Sequence, residues 1–433
     1  MNLLITNTRE DQAYLILRCL RQHASRIVVT VSGDSAFQRW GGMSAWSRHV
    51  SKRYRVPDCT ADWRAGTIQA ENTPAEERFI QRIEEICALE RIDCVFPSYD
   101  AEVYVFSKNR ERLASQGVTA VVPDYAGVSR ILDKSVTLAA AERAGFPVPR
   151  TRVPANLDEL RQAAAEIEPP WVLKPRCNAH AVNIMLARDP DELERVYEQL
   201  VATQERPLLQ EYVPAATKRN YYILVNRDSE VISVFTPRVH RTRKTGMRTP
   251  CAAVESSHEV PFETEMRALL KELGVWGGMT MQSIVDARDG QPKLMEINPR
   301  FGHNLWYRTE FGINEPLMYL RMAQGEDPGP VPPFEDGVLL LDPLWDLLHL
   351  AGQSLDQSVS RLRRRLRRRP PDAAGDPFEE EPLGPLVRHL RGEYFGRGRR
   401  ITSPLNRGYL SDPLPPLVRI LRVFVEALQR RAA

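Results

Sequence analysis

Residues 293–302, Lys-Leu-Met-Glu-Ile-Asn-Pro-Arg-Phe-Gly, constrain the fold more than any other stretch of this 433-residue chain. Side chains alternate between the two faces of a β-strand, which puts Met295 and Ile297 on one face. Glu296 and Asn298 then share the opposite face. The pattern predicts a strand with one apolar face and one face that carries side-chain oxygens.

A second strand is predicted over residues 279–285, and residues 286–292 have the turn composition that folds two strands into a hairpin. Gln282 would then lie opposite Glu296. Carboxylate and amide oxygens at one place suit Mg²⁺, and Arg300 just beyond could bind a phosphate or a carboxylate. A hairpin with a solvated polar face explains the same pattern, so the choice depends on the rest of the chain.

The beginning of the chain has the pattern of a parallel α/β sheet. A buried strand at 3–5, an amphipathic helix at 11–21 and a second strand at 26–31 form a β-α-β unit. Residues 6–10 contain none of the glycines that let a backbone approach a pyrophosphate. The opening therefore predicts a Rossmann-like fold without a dinucleotide site.

Two acidic residues follow a predicted strand at 93–97. Asp100 and Glu102 would lie at the carboxyl end of that strand, which is the edge where open α/β sheets bind ligands. They could hold a substrate amine, or they could complement the dipole of a helix over 103–114. We favour the helix-dipole interpretation.

Composition sets the broad class of the protein. Hydrophobic residues make up 42% and charged residues 27% of the chain, and the net charge of +3 does not call for a nucleic-acid partner. The six cysteines form no C-x-x-C pair or zinc-like cluster, as expected for reduced thiols. No apolar segment approaches the roughly 20 residues of a membrane span. We expect a cytoplasmic protein without a membrane partner.

The order of certain residues along the chain resembles the ATP-grasp superfamily, which includes biotin carboxylase, carbamoyl-phosphate synthetase and D-alanine ligase. The ordered residues are Lys134, Lys174, Gln210, Glu211, Gln282, Glu296, Asn298 and Arg300. The resemblance covers roughly residues 1–328. It implies an α/β fold in which a Rossmann-like domain (1–120) precedes an ATP-grasp domain with two α+β lobes and a cleft (121–328). A partly helical, arginine-rich C-terminal extension (329–433) completes the predicted organisation.

The resemblance implies an ATP site formed by Lys134, Lys174, Gln210, Glu211, Tyr212 and Val213. The two lysines would contact the phosphates and offset their charge. The glutamine and the glutamate would take the adenine amino group, and the backbone of the last two residues would meet the edge of the ring. For the glutamate, a solvated strand end is the alternative.

The resemblance also implies a metal site and a catalytic pair. Gln282, Glu296 and Asn298 would hold one or two Mg²⁺, with Mn²⁺ as an alternative. Arg300 and Lys174 would lie near the transferring phosphoryl group. A glutamine as the first ligand is closer to carbamoyl-phosphate synthetase than to the common pair of glutamates.

Two features depart from the family pattern. The loop at 175–183 contains no glycine, so its backbone would approach phosphates less closely. Arg176, Asn178 and His180 could supply side-chain donors instead, or the loop could be an ordinary turn. Residues 218–220 contain no acid, so no ribose contact is assigned.

Further candidates for binding a substrate are Arg241, Arg243, Lys244, Arg248, His303 and Asn304. The four cations lie in one basic segment that could bind an acidic substrate or an acyl phosphate, or that could be a solvated loop. The histidine and the asparagine could stand at the mouth of a pocket lined by Trp306 and Tyr307. Those two aromatic residues could equally belong to the core.

The C-terminal extension lies outside the family pattern. Residues 361–369 form a dense basic run that could bind nucleic acid or anionic lipid or form a solvated helix, and the solvated helix is the default interpretation. Apolar residues from Leu417 to Leu428 follow helical spacing and predict an amphipathic closing helix. Packing of this helix on its own chain or on a second copy is favoured over binding to a membrane.

The function implied by the resemblance is an ATP-dependent carboxylate–amine ligase that works through an acyl phosphate and releases ADP and phosphate. Its partners would be a small-molecule carboxylate and an amine, with amino acids among the candidates, and base rates favour a homodimer. Carboxyphosphate chemistry, as in carboxylases, is the second hypothesis. A nucleotide-binding protein without turnover is the third, because of the glycine-free loop and the missing ribose acid.

Overall fold

The computed structural model describes residues 1–8, 11–32, 41–60, 62, 68–177, 184–202, 206–242, 251–344, 346 and 400–421. The strands are β1 (Asn2–Ile5), β2 (Arg26–Ser32), β3 (Lys52–Val56), β4 (Cys94–Phe96), β5 (Thr119–Ala120), β6 (Thr151–Arg152), β7 (Trp171–Lys174), β8 (Met185–Ala187), β9 (Leu208–Glu211), β10 (Ala215–Val225), β11 (Val231–Phe235), β12 (Arg238–Thr242), β13 (Cys251–Glu255), β14 (Gly277–Asp286), β15 (Pro292–Asn298), β16 (Leu339–Leu341) and β17 (Arg400–Thr402). The α-helices are α1 (Asp11–Leu20), α2 (Pro74–Glu90), α3 (Asp100–Lys108), α4 (Arg110–Ala114), α5 (Tyr125–Leu132), α6 (Lys134–Arg143), α7 (Leu157–Ala165), α8 (Pro190–Val201), α9 (Glu263–Leu273), α10 (Trp306–Thr309), α11 (Glu315–Ala323) and α12 (Pro404–Ser411). A short 3-10 helix covers Met43–Trp46.

The first sheet is parallel and has the strand order β3-β2-β1-β4-β5. Leu3, Leu4 and Ile5 of β1 are all completely buried, because helices cover both faces of a central parallel strand. The chain order reverses between β1 and β4, which makes their carboxyl ends the switch point of the sheet. The α/β class and the Rossmann-like beginning predicted from the sequence are confirmed.

The second sheet has four strands and, with the two helices packed on it, is called the smaller lobe here. It has the order β6-β9-β7-β8, and each neighbouring pair is antiparallel. Trp171, Leu173 and Leu209 turn inward from these strands and pack against Leu160 of α7 and Leu193 of α8. The apolar layer fixes the direction in which β7 ends at Lys174.

The third sheet is antiparallel, with the order β11-β10-β14-β15. The predicted hairpin is present as β14 and β15, and Gln282 pairs with Glu296 as the sequence predicts. The register shifts at the next step, where Ser283 pairs with Leu294. This bulge leaves Met295 without a cross-strand partner, so Leu294 rather than Met295 is buried together with Ile297. The predicted alternation is therefore wrong at Met295.

The fourth sheet joins the chain after residue 328 to the rest of the molecule. Its order is β12-β13-β16-β17, and β16 is antiparallel to β13 and parallel to β17. Asp412 accepts hydrogen bonds from Ser47 Oγ and from the backbone N–H of Arg48, at 2.5 and 3.0 Å. The described part of the C-terminal segment thus packs on both the fourth sheet and the first domain.

Several predicted features of the extension fall on residues that the structure does not describe. The basic run at 361–369 is among them, as is the second half of the closing helix, although residues 414–421 are helical. Within the described ranges, no helix is both long and apolar enough to cross a membrane.

Candidate functional site

Two lysines and a glutamate from separate elements lie close together. Lys134 is the first residue of α6, and its backbone N–H donates to the carbonyl of Arg176 at 3.0 Å. That bond ties the start of the helix to the end of β7, where Lys174 lies. The Nζ atom of Lys134 is 3.6 Å from Glu296 Oε2. The tertiary structure thus brings together residues that are far apart in the sequence.

The cap of α6 fixes the orientation of its first turn. The side chain of Asp133 accepts from the backbone N–H of Ser135 at 2.9 Å, as an N-cap residue does. Asp133 also pairs with the guanidinium of Arg176. Burial raises the pKa of Asp133, but Arg176 and Ser135 outweigh it, so the pKa is lower than usual. Arg176, a candidate donor to phosphates, therefore points to the base of α6.

Lys174 is buried, with 4% of its surface exposed. Burial and, to a smaller extent, the nearby charge of Lys134 lower its pKa to about 7, although the charge of Glu296 opposes this change. An ammonium with a pKa near 7 is only partly charged in the neutral range. A polyanion that binds beside it would restore the full charge.

Glu296 remains ionised although protein atoms surround it. Burial raises its pKa, but Lys134, a hydrogen bond from Asn298 and then Lys174 and Arg300 together bring it below the usual value. About a third of the side chain, 32%, is exposed. The carboxylate is therefore negative and partly exposed.

Amide side chains flank this carboxylate. Asn298 Nδ2 donates to Glu296 Oε1 at 3.3 Å, which leaves the Asn298 amide oxygen as an acceptor. Gln282 lies across from Glu296, and Asn220 of β10 lies across from Gln282. Asn220 had no role in the sequence interpretation, and only the strand register reveals its place.

The oxygen donors at this place suit a hard divalent cation. In the described part of the chain, no three His, Cys, Asp or Glu side chains converge as a metal site. The candidate ligands are instead one carboxylate and two amides, those of Glu296, Gln282 and Asn298. Mg²⁺ is commonly held by one or two protein carboxylates, with water and phosphate oxygens completing the shell. The residues present therefore fit the expected ion.

The residues expected at the adenine have specific partners. Gln210 is completely buried, its Nε2 donates to Thr151 Oγ1 at 2.8 Å, and its Oε1 has no hydrogen-bond partner. Glu211 lies 3.2 Å from Lys293 Nζ and 3.5 Å from Arg288 Nη2. Two cations of the β14–β15 hairpin thus bind Glu211, which is not a solvated strand end. Its carboxylate links the smaller lobe to the third sheet.

The next two residues connect those same sheets. Tyr212 is half-buried and Val213 is buried, and both lie between β9 and β10. Their backbone therefore runs along the junction of the two lobes. This is where the sequence interpretation placed the edge of the adenine ring.

Arg300 makes a contact that the sequence interpretation did not include. Its Nε and Nη2 donate to Asp100 Oδ2 at 3.3 and 3.2 Å. Asp100 is the first residue of α3, which begins three residues before the predicted start at 103, and α4 begins only after Asn109. Glu102, also in the first turn, accepts from Thr6 Oγ1. The dipole interpretation therefore left out the principal contacts of both acids.

The structure describes only some of the other residues predicted to bind a substrate. Arg241 lies in β12, but the structure does not describe its side chain. The other candidates that lie outside the described residues are Arg243, Lys244, Arg248, Asn178 and His180. His303 is exposed, and Asn304 Nδ2 donates to Tyr222 Oη at 2.6 Å. Trp306 and Tyr307 are buried core residues rather than an exposed pocket wall.

The sequence matches a known family model and is similar to known proteins. Residues 131–303 match the family model of the ATP-grasp domain. The large chain of carbamoyl phosphate synthase from Methanothrix thermoacetophila is 26% identical over 196 residues, which cover 43% of this chain and 18% of that protein.

Solved structures of similar fold include the biotin carboxylase from Campylobacter jejuni in complex with β,γ-ATP. Its TM-score is 0.56 at 16% identity, with 75% of this chain and 71% of that chain covered. The biotin carboxylase domain dimer of 2-oxoglutarate carboxylase from Hydrogenobacter thermophilus, a complex with MgADP, ADP and bicarbonate, has a TM-score of 0.54 at 17% identity. The aligned regions cover 75% of this chain and 70% of that one. At these identities the structural likeness shows the fold.

The first two curated relatives are much longer than the matched region. This chain covers 18% of the first and 32% of the second, which is an N-terminal section of a carbamoyl phosphate synthase large chain from Methanopyrus kandleri. The similarity therefore concerns one part of those proteins.

Proposed function

Because this chain belongs to the ATP-grasp superfamily, we propose that it is an ATP-dependent carboxylate–amine ligase. The observation that carries the proposal is the meeting of Lys134 and Lys174 with an ionised, accessible Glu296 at one end of the cleft. Cations for phosphates and oxygens for a divalent ion lie side by side there. Phosphoryl transfer depends mainly on such positioning and charge.

In the proposed reaction, an oxygen of the substrate carboxylate attacks the γ-phosphorus of ATP, and ADP leaves. The amine nitrogen then attacks the carbonyl carbon of the acyl phosphate, the bond to the phosphate oxygen breaks, and the amine loses a proton to solvent. Lys134 and Lys174 bind the phosphates. Arg300 contacts the transferring group through its N–H donors. Gln282, Glu296 and Asn298 would hold Mg²⁺, which when bound would supply positive charge to offset that of the phosphates.

Part of the proposed site is formed by buried side chains. Lys174 lies at the end of a strand whose side chains are mostly buried, and Tyr222, which Asn304 contacts, is buried as well. An acyl phosphate is readily hydrolysed, so a site that excludes water favours transfer to the amine. The substrates proposed are a small carboxylate and a small amine, amino acids among them.

Hydroxylamine allows the test to proceed before the amine is known. A panel of carboxylic and amino acids is incubated with the protein, MgATP and hydroxylamine, and both ADP and the acyl hydroxamate are measured. We expect at least one acid to give equal amounts of the two products. Glu296→Gln should lower this rate at least about 100-fold, the scale of losing one charged transition-state contact.

Glu263→Gln is the matched control, because Glu263 forms an exposed pair with Arg267 at 2.6 Å on the surface and should retain full activity. ADP release without hydroxamate for every acid would contradict the ligase. Full activity of Glu296→Gln would remove the role proposed for that carboxylate. Nucleotide binding with no ADP release at all would favour a binding protein without turnover.

Carboxyphosphate chemistry is a second candidate, with bicarbonate in place of the organic acid. It is favoured by the fold shared with the structure from Hydrogenobacter thermophilus, which holds MgADP and bicarbonate. ADP release that depends on bicarbonate, in buffers freed of carbon dioxide and without any organic acid, would support this reaction over the ligase.

A further inference from the structure

The first domain provides a charged contact to the candidate catalytic arginine. Asp100 and Arg300 are separated by 200 residues in the sequence, yet Oδ2 of the aspartate lies within 3.3 Å of two guanidinium nitrogens. Asp100 follows β4 at the switch point of the parallel sheet, and 5% of its surface is exposed. An acid is well tolerated in the first turn of α3 because the helix dipole favours negative charge there.

Apolar packing explains why the two residues meet. The ring of Phe96, the last residue of β4, stacks on the ring of Phe301 with centroids 6.4 Å apart, and it also contacts Tyr319 at 5.8 Å. Phe301 follows Arg300 directly, so this contact brings the arginine to the edge where Asp100 lies. The aromatic packing therefore joins the domains in this region by apolar contacts as well as by the ion pair.

The hydrogen bonds of Arg300 leave part of its guanidinium for a ligand. Its Nη1 donates to the carbonyl oxygen of Phe301 at 3.3 Å, while Nε and Nη2 donate to Asp100. A guanidinium has five N–H groups, so two of them, one on each terminal nitrogen, have no partner among the residues that the structure describes. Two such donors can bind a carboxylate or a phosphate in a bidentate manner.

A second carboxylate lies near the same cation along the chain. Glu296 of β15 precedes Arg300 by four residues, and the backbone N–H of Arg300 donates to the carbonyl of Asn298, the last residue of that strand, at 2.8 Å. Within the described residues, however, the ion pair of Arg300 is with Asp100, and that of Glu296 is with Lys134. Without the charge of Asp100, electrostatic attraction would draw Arg300 toward Glu296.

We propose that Asp100 is a positioning residue that keeps Arg300 away from Glu296, so that the carboxylate remains open to a divalent cation and the arginine to an anionic substrate. The inference rests on the proposed function, because it takes Glu296 as a metal ligand. It gives the first domain a part in assembling the site. If Asp100 only stabilised the fold, its loss would lower stability without changing metal affinity.

The test measures metal binding rather than turnover. Mn²⁺ is titrated into the full chain in the presence of the non-hydrolysable analogue adenylyl imidodiphosphate, and free Mn²⁺ is followed by electron paramagnetic resonance. We expect Asp100→Asn to weaken Mn²⁺ binding about tenfold, a typical size for coupling between two sites. Asp100→Glu keeps the charge and should restore most of the affinity.

A double-mutant cycle separates competition from damage to the fold. If Arg300 occupies Glu296 in the Asp100→Asn protein, adding Arg300→Ala should restore Mn²⁺ affinity to within about twofold of the Arg300→Ala protein. If Asp100→Asn damaged the site, the double variant would bind no better than Asp100→Asn. The cycle remains decisive even when the single variant is less stable.

Asp342→Asn is the matched control for losing a buried aspartate from an ion pair with arginine. Asp342 pairs with Arg419 Nη2 at 2.6 Å, and both side chains are buried. This variant should lose stability and keep its Mn²⁺ affinity. Four results would each overturn the inference. Asp100→Asn could bind Mn²⁺ with unchanged affinity, or Asp342→Asn could lose as much Mn²⁺ affinity as Asp100→Asn. The double variant could fail to recover Mn²⁺ affinity, or the wild-type protein could fail to bind Mn²⁺.

The inference and the ligase proposal fail in different ways. A protein that shows the expected cycle with Mn²⁺ but forms no hydroxamate with any acid would keep the role of Asp100 and refute the ligase. A protein that forms hydroxamate while Asp100→Asn binds Mn²⁺ normally would keep the ligase and refute this role.

Discussion

The pKa of Lys174 makes nucleotide binding depend on pH. Burial, with the nearby Lys134 charge, lowers this pKa to about 7 in the free protein. A bound triphosphate would raise it again, because a neighbouring anion favours the charged ammonium. Between pH 8 and 9 the free protein holds Lys174 largely neutral, whereas the complex holds it charged. Binding must therefore take up a proton, and affinity must fall as pH rises.

The magnitude follows from the size of the shift. With a free pKa of about 7 and a bound pKa near the ordinary lysine value of about 10.4, ATP affinity falls about ninefold between pH 8 and 9, and about 0.9 proton is taken up at pH 8. Glu296 contributes little in this window, because its pKa lies below the usual carboxyl value. The phosphates of ATP are fully ionised there as well.

Isothermal titration calorimetry in buffers with different ionisation enthalpies measures the affinity and the proton uptake together. Lys174→Arg is the control, because a guanidinium stays charged throughout this range, and its ATP affinity should be nearly independent of pH. A wild-type affinity that is constant within twofold between pH 8 and 9 would refute the reasoning. The same pH dependence in Lys174→Arg would assign the titration to another group.

Three further predictions concern stability, measured by urea unfolding. Lys174→Met should stabilise the ligand-free protein by about 1–3 kcal/mol at pH 7. The difference in free energy of unfolding between this variant and the wild-type protein should be smaller at pH 9, where the folded wild-type lysine is neutral. A larger difference at pH 9 would contradict the lowered pKa. Gly278→Ala should cost about 1–3 kcal/mol, because its Cβ would lie 2.3 Å from the Phe301 ring; a neutral result would mean that the ring moves freely. Asp412→Ala should cost about 2 kcal/mol by removing the acceptor of Ser47, and unchanged stability would show that the segment contributes little.

Local pattern was enough to predict much of the cleft. Alternation along β14 and β15, with turn residues between them, correctly placed Gln282 opposite Glu296. The prediction worked because neighbours in a hairpin are close in sequence, and the turn fixes the register. It was wrong at Met295, because a bulge depends on packing against other elements and has no clear signal in a single strand.

Contacts between distant segments were not predicted. The sequence interpretation treated Asp100 as a helix-dipole residue and Glu211 as an adenine ligand or a strand end, whereas the structure pairs them with Arg300 and with Lys293 and Arg288. Nothing near either acid in the sequence identifies its partner. The partner is set by how the sheets pack, here through the rings of Phe96 and Phe301.

The sequence by itself determined the element types, the β-α-β beginning, the hairpin and the ordered residues that resemble an ATP-grasp site. These depend on periodicity and spacing, which short segments carry within themselves. Only the tertiary structure decided that Lys134 and Lys174 meet Glu296, that burial brings the pKa of Lys174 to about 7, and that Asp100 of the first domain binds Arg300. Burial and charge proximity arise from all segments packing at once, so no single stretch of sequence contains them.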